Sequence, residues 1–138
     1  MSAFVLAAVC ALAASLCAAA DGALLTIDDD EWPADAAVRR LLATREATHR
    51  ALAFARILAQ LGTGAALAVA LSAASHVLLA TAVGLFVIIV SESGARALGD
   101  LLGARALRRL APVARSVLVV LRPVVAFGSW CDAVLAHL

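Results

Sequence analysis

Glu92 offers the most chemistry in this sequence. It follows the apolar stretch Val77–Val90 directly, with Ser91 and Ser93 on either side and Gly94 next. A carboxylate in or near lipid is costly and by default marks a functional site. Carboxylate, hydroxyl and backbone carbonyl oxygens are hard ligands, suited to Mg²⁺ or Ca²⁺. The candidate metal ligands are therefore Glu92 and Ser91, joined by Asp21, the acid that closes the first apolar run. The plainer alternative is an interfacial Glu92 paired with Arg96, four residues on along the same helix face. For Asp21 it is simple exposure to water. No Ser–His–Asp order, Cys–His pair, Gly-rich phosphate loop or His-x-x-x-His pattern occurs, so nothing reads as an enzyme. Cys10, Cys17 and Cys131 have no metal-ligand spacing and read as structural.

These residues sit in an unusual solvent. Of the 138 residues, 64% are hydrophobic and 15% charged. Soluble domains run nearer 45–50% apolar and about 25% charged. So few charges could not cover a water-exposed surface, which points to lipid. Only helices or a closed barrel satisfy their backbone groups there. Long unbroken apolar runs exclude the alternating pattern of a barrel. The expected fold is all-α: an integral membrane helical bundle in one domain, residues 1–138. The eleven basic residues are all arginine, which fits GC-rich coding. No basic patch interleaved with aromatics points to nucleic acid.

About three transmembrane helices are expected, with amphipathic juxtamembrane helices beside them. Residues 2–20 carry no charge and are long enough to cross a bilayer. A cleaved signal is the rival, since Ala18-Ala19-Ala20 precedes Asp21 like a processing site. No positive residue precedes the run, and apolar character resumes at Ala23, which favours a retained helix. Asp28–Pro33 is a polar break. Asp35 can cap a helix from about Ala36. The stretch 36–56 mixes six charged residues with Leu41, Leu42, Ala51 and Phe54, as a membrane-surface helix or a solvated linker would. Ile57–Ser75 is the second apolar run, and Ser75-His76 the expected turn. The third run, Val77–Val90, is short and must continue through Ser91–Ala95 to cross. Residues 105–126 hold Arg105, Arg108, Arg109, Arg115, Arg122, Pro112 and Pro123. Arginine at a helix centre costs about 2.5–3.5 kcal/mol on insertion scales. A surface-lying or re-entrant helix pair is thus expected there, rather than a fourth crossing.

Arginine placement orients the bundle. Five lie between the first and second apolar runs and six after the third. The N-terminus and the 75–76 turn have none, so the positive-inside rule puts the N-terminus outside and the C-terminus in the cytoplasm. The expected location is the cell (plasma or inner) membrane, multi-pass. Gly62, Gly64 and Ala66 give a small face on which a homodimer could pack.

The order of segments resembles the membrane domain of the CorC/cyclin M (CNNM) divalent-cation transporters. Asp21-Gly22-Ala23-Leu24 falls where that family has Ser-x-x-Glu-Thr-Ala-Leu. Ile57-Leu58-Ala59-Gln60 and then Gly64-Ala65-Ala66-Leu67 fall at its Leu-Ala-Thr and Gly-Asn-Thr segment. Ser91-Glu92-Ser93-Gly94-Ala95-Arg96 falls at its Gly-Glu-Leu/Ile-Pro-Lys motif. Leu110-Ala111-Pro112 and Leu121-Arg122-Pro123-Val124-Val125 resemble its closing Arg- and Pro-containing helices. The resemblance spans nearly the whole chain. It implies transport of Mg²⁺ by a dimer, with a cytosolic CBS-type regulatory domain as partner.

The motifs depart from the family in ways that bear on the ion. Ala18 stands for the ligating serine and Ala65 for the asparagine, while the motif proline and lysine are missing. Glu92 remains, and Asp21 replaces the family's glutamate. Three readings follow: a divalent-cation transport domain, a non-transporting structural or partner-binding membrane protein with a decayed ion site, and a small protein released or anchored by its first twenty residues. The retained Glu92 favours the first and the lost ligands favour the second.

Overall fold

The computed structural model describes residues 2–27, 35–71 and 77–135. The expected polar break and the Ser75-His76 turn lie outside the described residues. Among these residues the chain is all-helical. Helix α1 spans Ala3–Thr26, α2 Ala36–Ala43, α3 Arg45–Leu71, α4 Val77–Leu102, α5 Ala104–Val120 and α6 Arg122–Leu135.

Among the described residues, two helices, α1 and α3, are long and apolar enough to cross a membrane. The number rises to three if α5 and α6, bent by 62° at their junction, count as one broken span. That bend falls at Leu121, between Pro112 and Pro123, inside the stretch expected to form a surface-lying or re-entrant pair. The apolar exterior agrees with lipid as solvent. Leu61, Val69, Leu78, Leu85, Phe86, Val119 and Val120 all lie open. An apolar surface this continuous would drive association in water.

The start of α2 follows the sequence. Asp35 accepts a hydrogen bond from the Ala37 N–H at 2.9 Å, satisfying one of the free donors of the first turn. The rest of 36–56 does not form one amphipathic helix. The backbone breaks at Thr44, whose hydroxyl donates to the Arg40 carbonyl at 3.1 Å and meets the Thr48 hydroxyl at 3.2 Å. From Arg45 onward one helix runs without interruption into the second apolar run. Arg50 and Arg56 therefore belong to the same helix as the second apolar run and not to a separate surface arm. At about 1.5 Å per residue, the helix is longer than a roughly 30 Å hydrocarbon layer.

Helix α4 continues through Ser91–Ala95 as its short apolar run required, and ends at Leu102. Gly103, at φ +45°, reverses the chain into α5. Glycine suits this left-handed position because it has no Cβ to clash.

Packing is uneven along the bundle. Leu24 of α1 and Ile27 just after it, Val38 and Leu42 of α2, Leu52 of α3 and Leu107 of α5 form one buried cluster. It lies at the α1 C-terminal end. There Arg45 donates to the Leu25 and Ile27 carbonyls, both at 2.9 Å. These are among the carbonyls a helix end leaves without partners. Helices α1 and α4 meet through glycine. A Cβ on Gly22 would lie 2.6 Å from Asp100 Oδ1 and 2.7 Å from the Arg96 carbonyl oxygen, and one on Gly99 would collide with the Ala19 carbonyl. Small residues permit such approach where lipid supplies no hydrophobic drive. Within α3, Gly62 faces Cys10 of α1 and Ala66 is buried, while Gly64 stays exposed. The small face expected between copies is thus partly used inside the chain.

Candidate functional site

Three helices bring their polar side chains to one place. On α3, His49, Arg56 and Gln60 are spaced i, i+7 and i+11. At 3.6 residues per turn that is a single stripe. The stripe faces Asp21 of α1 and Glu92 of α4. His49 Nδ1 lies 2.5 Å from Asp21 Oδ1. Arg56 Nε lies 3.2 Å from Glu92 Oε1, and Arg56 Nη1 lies 3.8 Å from Asp21 Oδ2. Gln60 Nε2 donates to Glu92 Oε2.

The depth of these groups matters. The Asp21 side chain is 2% exposed, that of Arg56 20% and that of Glu92 26%. His49, at 42%, links the buried aspartate to the exterior. An isolated charge at such depth is strongly disfavoured, so a buried carboxylate needs a partner. Arg56 serves two at once. The join with Asp21 is loose, because 3.8 Å permits Coulomb attraction but exceeds hydrogen-bond range. Asp21 Oδ2 and Arg56 Nη1 are both buried without a hydrogen-bond partner, and they face each other across that gap.

The sequence-derived residues separate into those gathered here and those left out. Asp21 and Glu92 converge, although they are far apart in sequence and on different helices. Ser91 does not join them, since its hydroxyl donates to the Ile88 carbonyl of its own helix at 3.0 Å. Ser93 and Gly94 are exposed, and α4 is unbroken through Gly94, so no carbonyl is freed there. The i,i+4 partnership of Glu92 with Arg96 gives way to Arg56 and Gln60 of α3. Sequence reading missed Arg56, Gln60 and His49 as site residues. Their common stripe within an otherwise apolar helix was the available signal.

In chemical terms the site offers carboxylate oxygens from two helices and one amide, with a guanidinium set between them. Among the described residues, no group of three or more His, Cys, Asp or Glu side chains is placed to hold a metal ion. Mg²⁺ requires near-octahedral oxygens at about 2.0–2.1 Å. The Asp21, Glu92 and Gln60 oxygens could contribute to such a shell only with Arg56 withdrawn. The arrangement defines a class: a helical protein with membrane-compatible helices joined by a partly buried ion-pair network. No protein-family model, curated protein or solved structure matches the chain.

Proposed function

We propose that this chain is a CorC/cyclin M-like membrane domain in which a fixed guanidinium takes the place of the transported cation, so that it is a non-transporting structural or partner-binding membrane protein. One observation carries the reading: Arg56 lies between Asp21 and Glu92 and pairs with both. A tethered cation needs no uptake and cannot leave. It ties α1, α3 and α4 together by their polar groups, where lipid offers little other drive for helix association. The alanines at positions 18 and 65, in place of oxygen ligands, support the same reading. Three crossings, an outside N-terminus and a homodimer complete the proposal.

A second reading, Mg²⁺ transport, is favoured by the loose Asp21–Arg56 join. Two buried polar atoms without partners leave Arg56 incompletely held, so it could yield to a divalent ion. Thermal unfolding of the purified protein in detergent, with and without millimolar Mg²⁺, separates the two. In the non-transporting reading the wild type shows no Mg²⁺-dependent shift, and Arg56→Gln acquires one by removing the guanidinium that the two carboxylates share. A wild-type shift that Glu92→Gln abolishes would overturn that reading in favour of transport.

A further inference from the structure

Helix α5 is divided lengthwise by chemistry. Leu107, Ala111 and Ala114 are buried in the cluster shared with α1, α2 and α3. That burial fixes the opposite face outward. Arg105, Arg108 and Arg109, at i, i+3 and i+4, share this outer face and are exposed. Together with Leu102 and Ala106 they line a cavity of about 660 Å³.

The charges in this cavity are out of balance. Arg108 is paired with Asp35, Nε to Oδ2 at 3.2 Å. Among the described residues, Arg105 and Arg109 have no acidic partner. Beside the basic wall stands an apolar residue, Leu102, which lines the same cavity at the end of α4 and is 53% exposed. A small anion would be served by the arginines alone. An amphiphile with an anionic head and an aliphatic tail matches both.

We infer that the Arg105–Arg109 segment of α5, with Leu102, binds an anionic phospholipid, the guanidinium groups holding the phosphate and Leu102 the start of an acyl chain. Arginine suits the role because its planar fork donates two hydrogen bonds to a phosphate. The inference is independent of the ion-pair site and stands whether or not that site moves an ion.

The test uses the purified full chain in neutral detergent, titrated separately with phosphatidylglycerol, phosphatidylcholine and inorganic phosphate. Bound lipid is read by native mass spectrometry. Phosphatidylglycerol is expected to bind more tightly than phosphatidylcholine, and its affinity to fall as salt rises. Basic residues near a membrane surface contribute roughly a factor of five each, so Arg105→Gln with Arg109→Gln should weaken phosphatidylglycerol binding about twenty-five-fold. Leu102→Gln should weaken lipid binding and leave any phosphate binding unchanged. Equal affinity for the two lipids overturns the inference, as does a double variant that keeps the preference. Complete displacement of phosphatidylglycerol by millimolar phosphate overturns it too and identifies a simple anion site. Should the double variant fail to fold, the salt dependence of the wild type decides alone, and a flat response is a refutation.

Discussion

Gly99 of α4 lies so close to Ala19 of α1 that a Cβ on the glycine would strike the alanine carbonyl. The obstacle is backbone, which cannot swing aside as a side chain can. Gly99→Ala is therefore expected to push α1 and α4 apart. Overpacking of this kind typically costs about 1–3 kcal/mol. Thermal unfolding in detergent should register the loss, whereas Gly94→Ala, which meets open space on the same helix, should be neutral or stabilising.

Arg45 provides a second point of control. Its guanidinium donates to two carbonyls at the α1 terminus. Arg45→Met keeps the aliphatic stem and removes those donors, and leaving such groups unsatisfied costs about 1–3 kcal/mol where they are buried. Faster hydrogen exchange is expected at the last turn of α1, with α4 unaffected. Uniform exchange across both helices would contradict the capping role.

Arg56→Met strips the cluster of its cation while Asp21 and Glu92 stay in place. Breaking a buried pair from one side costs about 3–5 kcal/mol, and partial exposure of Arg56 and Glu92 puts the expectation at or below the lower figure. Adding Asp21→Asn and Glu92→Gln to Arg56→Met should recover much of the loss, because no unpaired charge then remains. Additive destabilisation in the triple variant would show that the three do not act as a unit.

Cysteine labelling tests the orientation. With the native cysteines replaced, an impermeant reagent added outside should reach a cysteine at position 76 and miss Arg39→Cys and Arg105→Cys. Outside labelling at position 39 would reverse the proposed topology.

Gly64 is the exposed member of the α3 small face. Gly64→Leu should weaken a homodimer measured by crosslinking in detergent and leave the monomer fold intact. An unchanged dimer would move the interface elsewhere.

Much of this architecture is legible in the residues. The apolar runs locate α1, the apolar part of α3 and the start of α4, and Asp35 announces α2. Proline and arginine between 105 and 126 foretell a broken helix pair. The Thr44 break has no such sign, since neither glycine nor proline is nearby and the break is held by threonine hydroxyls. Of the site, Asp21 and Glu92 stand out because carboxylates are rare in apolar runs. Their counter-ion does not, because Arg56 sits at the edge of a charged stretch and reads as its last surface residue. Only the continuity of α3 carries it inward. The Gly22 and Gly99 contacts depend on two segments more than seventy residues apart meeting in register, and no single segment encodes that.

The turn at Gly103 has a mechanical consequence. Glu92 and Gly103 are joined by one helix without a break, so torsion at the first is delivered to the second. A single residue, Gly103, then separates α4 from α5. Any twist of α4 that carried Glu92 away from Arg56 would bear on the following helix, pressing Leu107 against Leu24 and its other neighbours, about one turn along α1 from Asp21. The ion pair and the packing beside it therefore share one short connection.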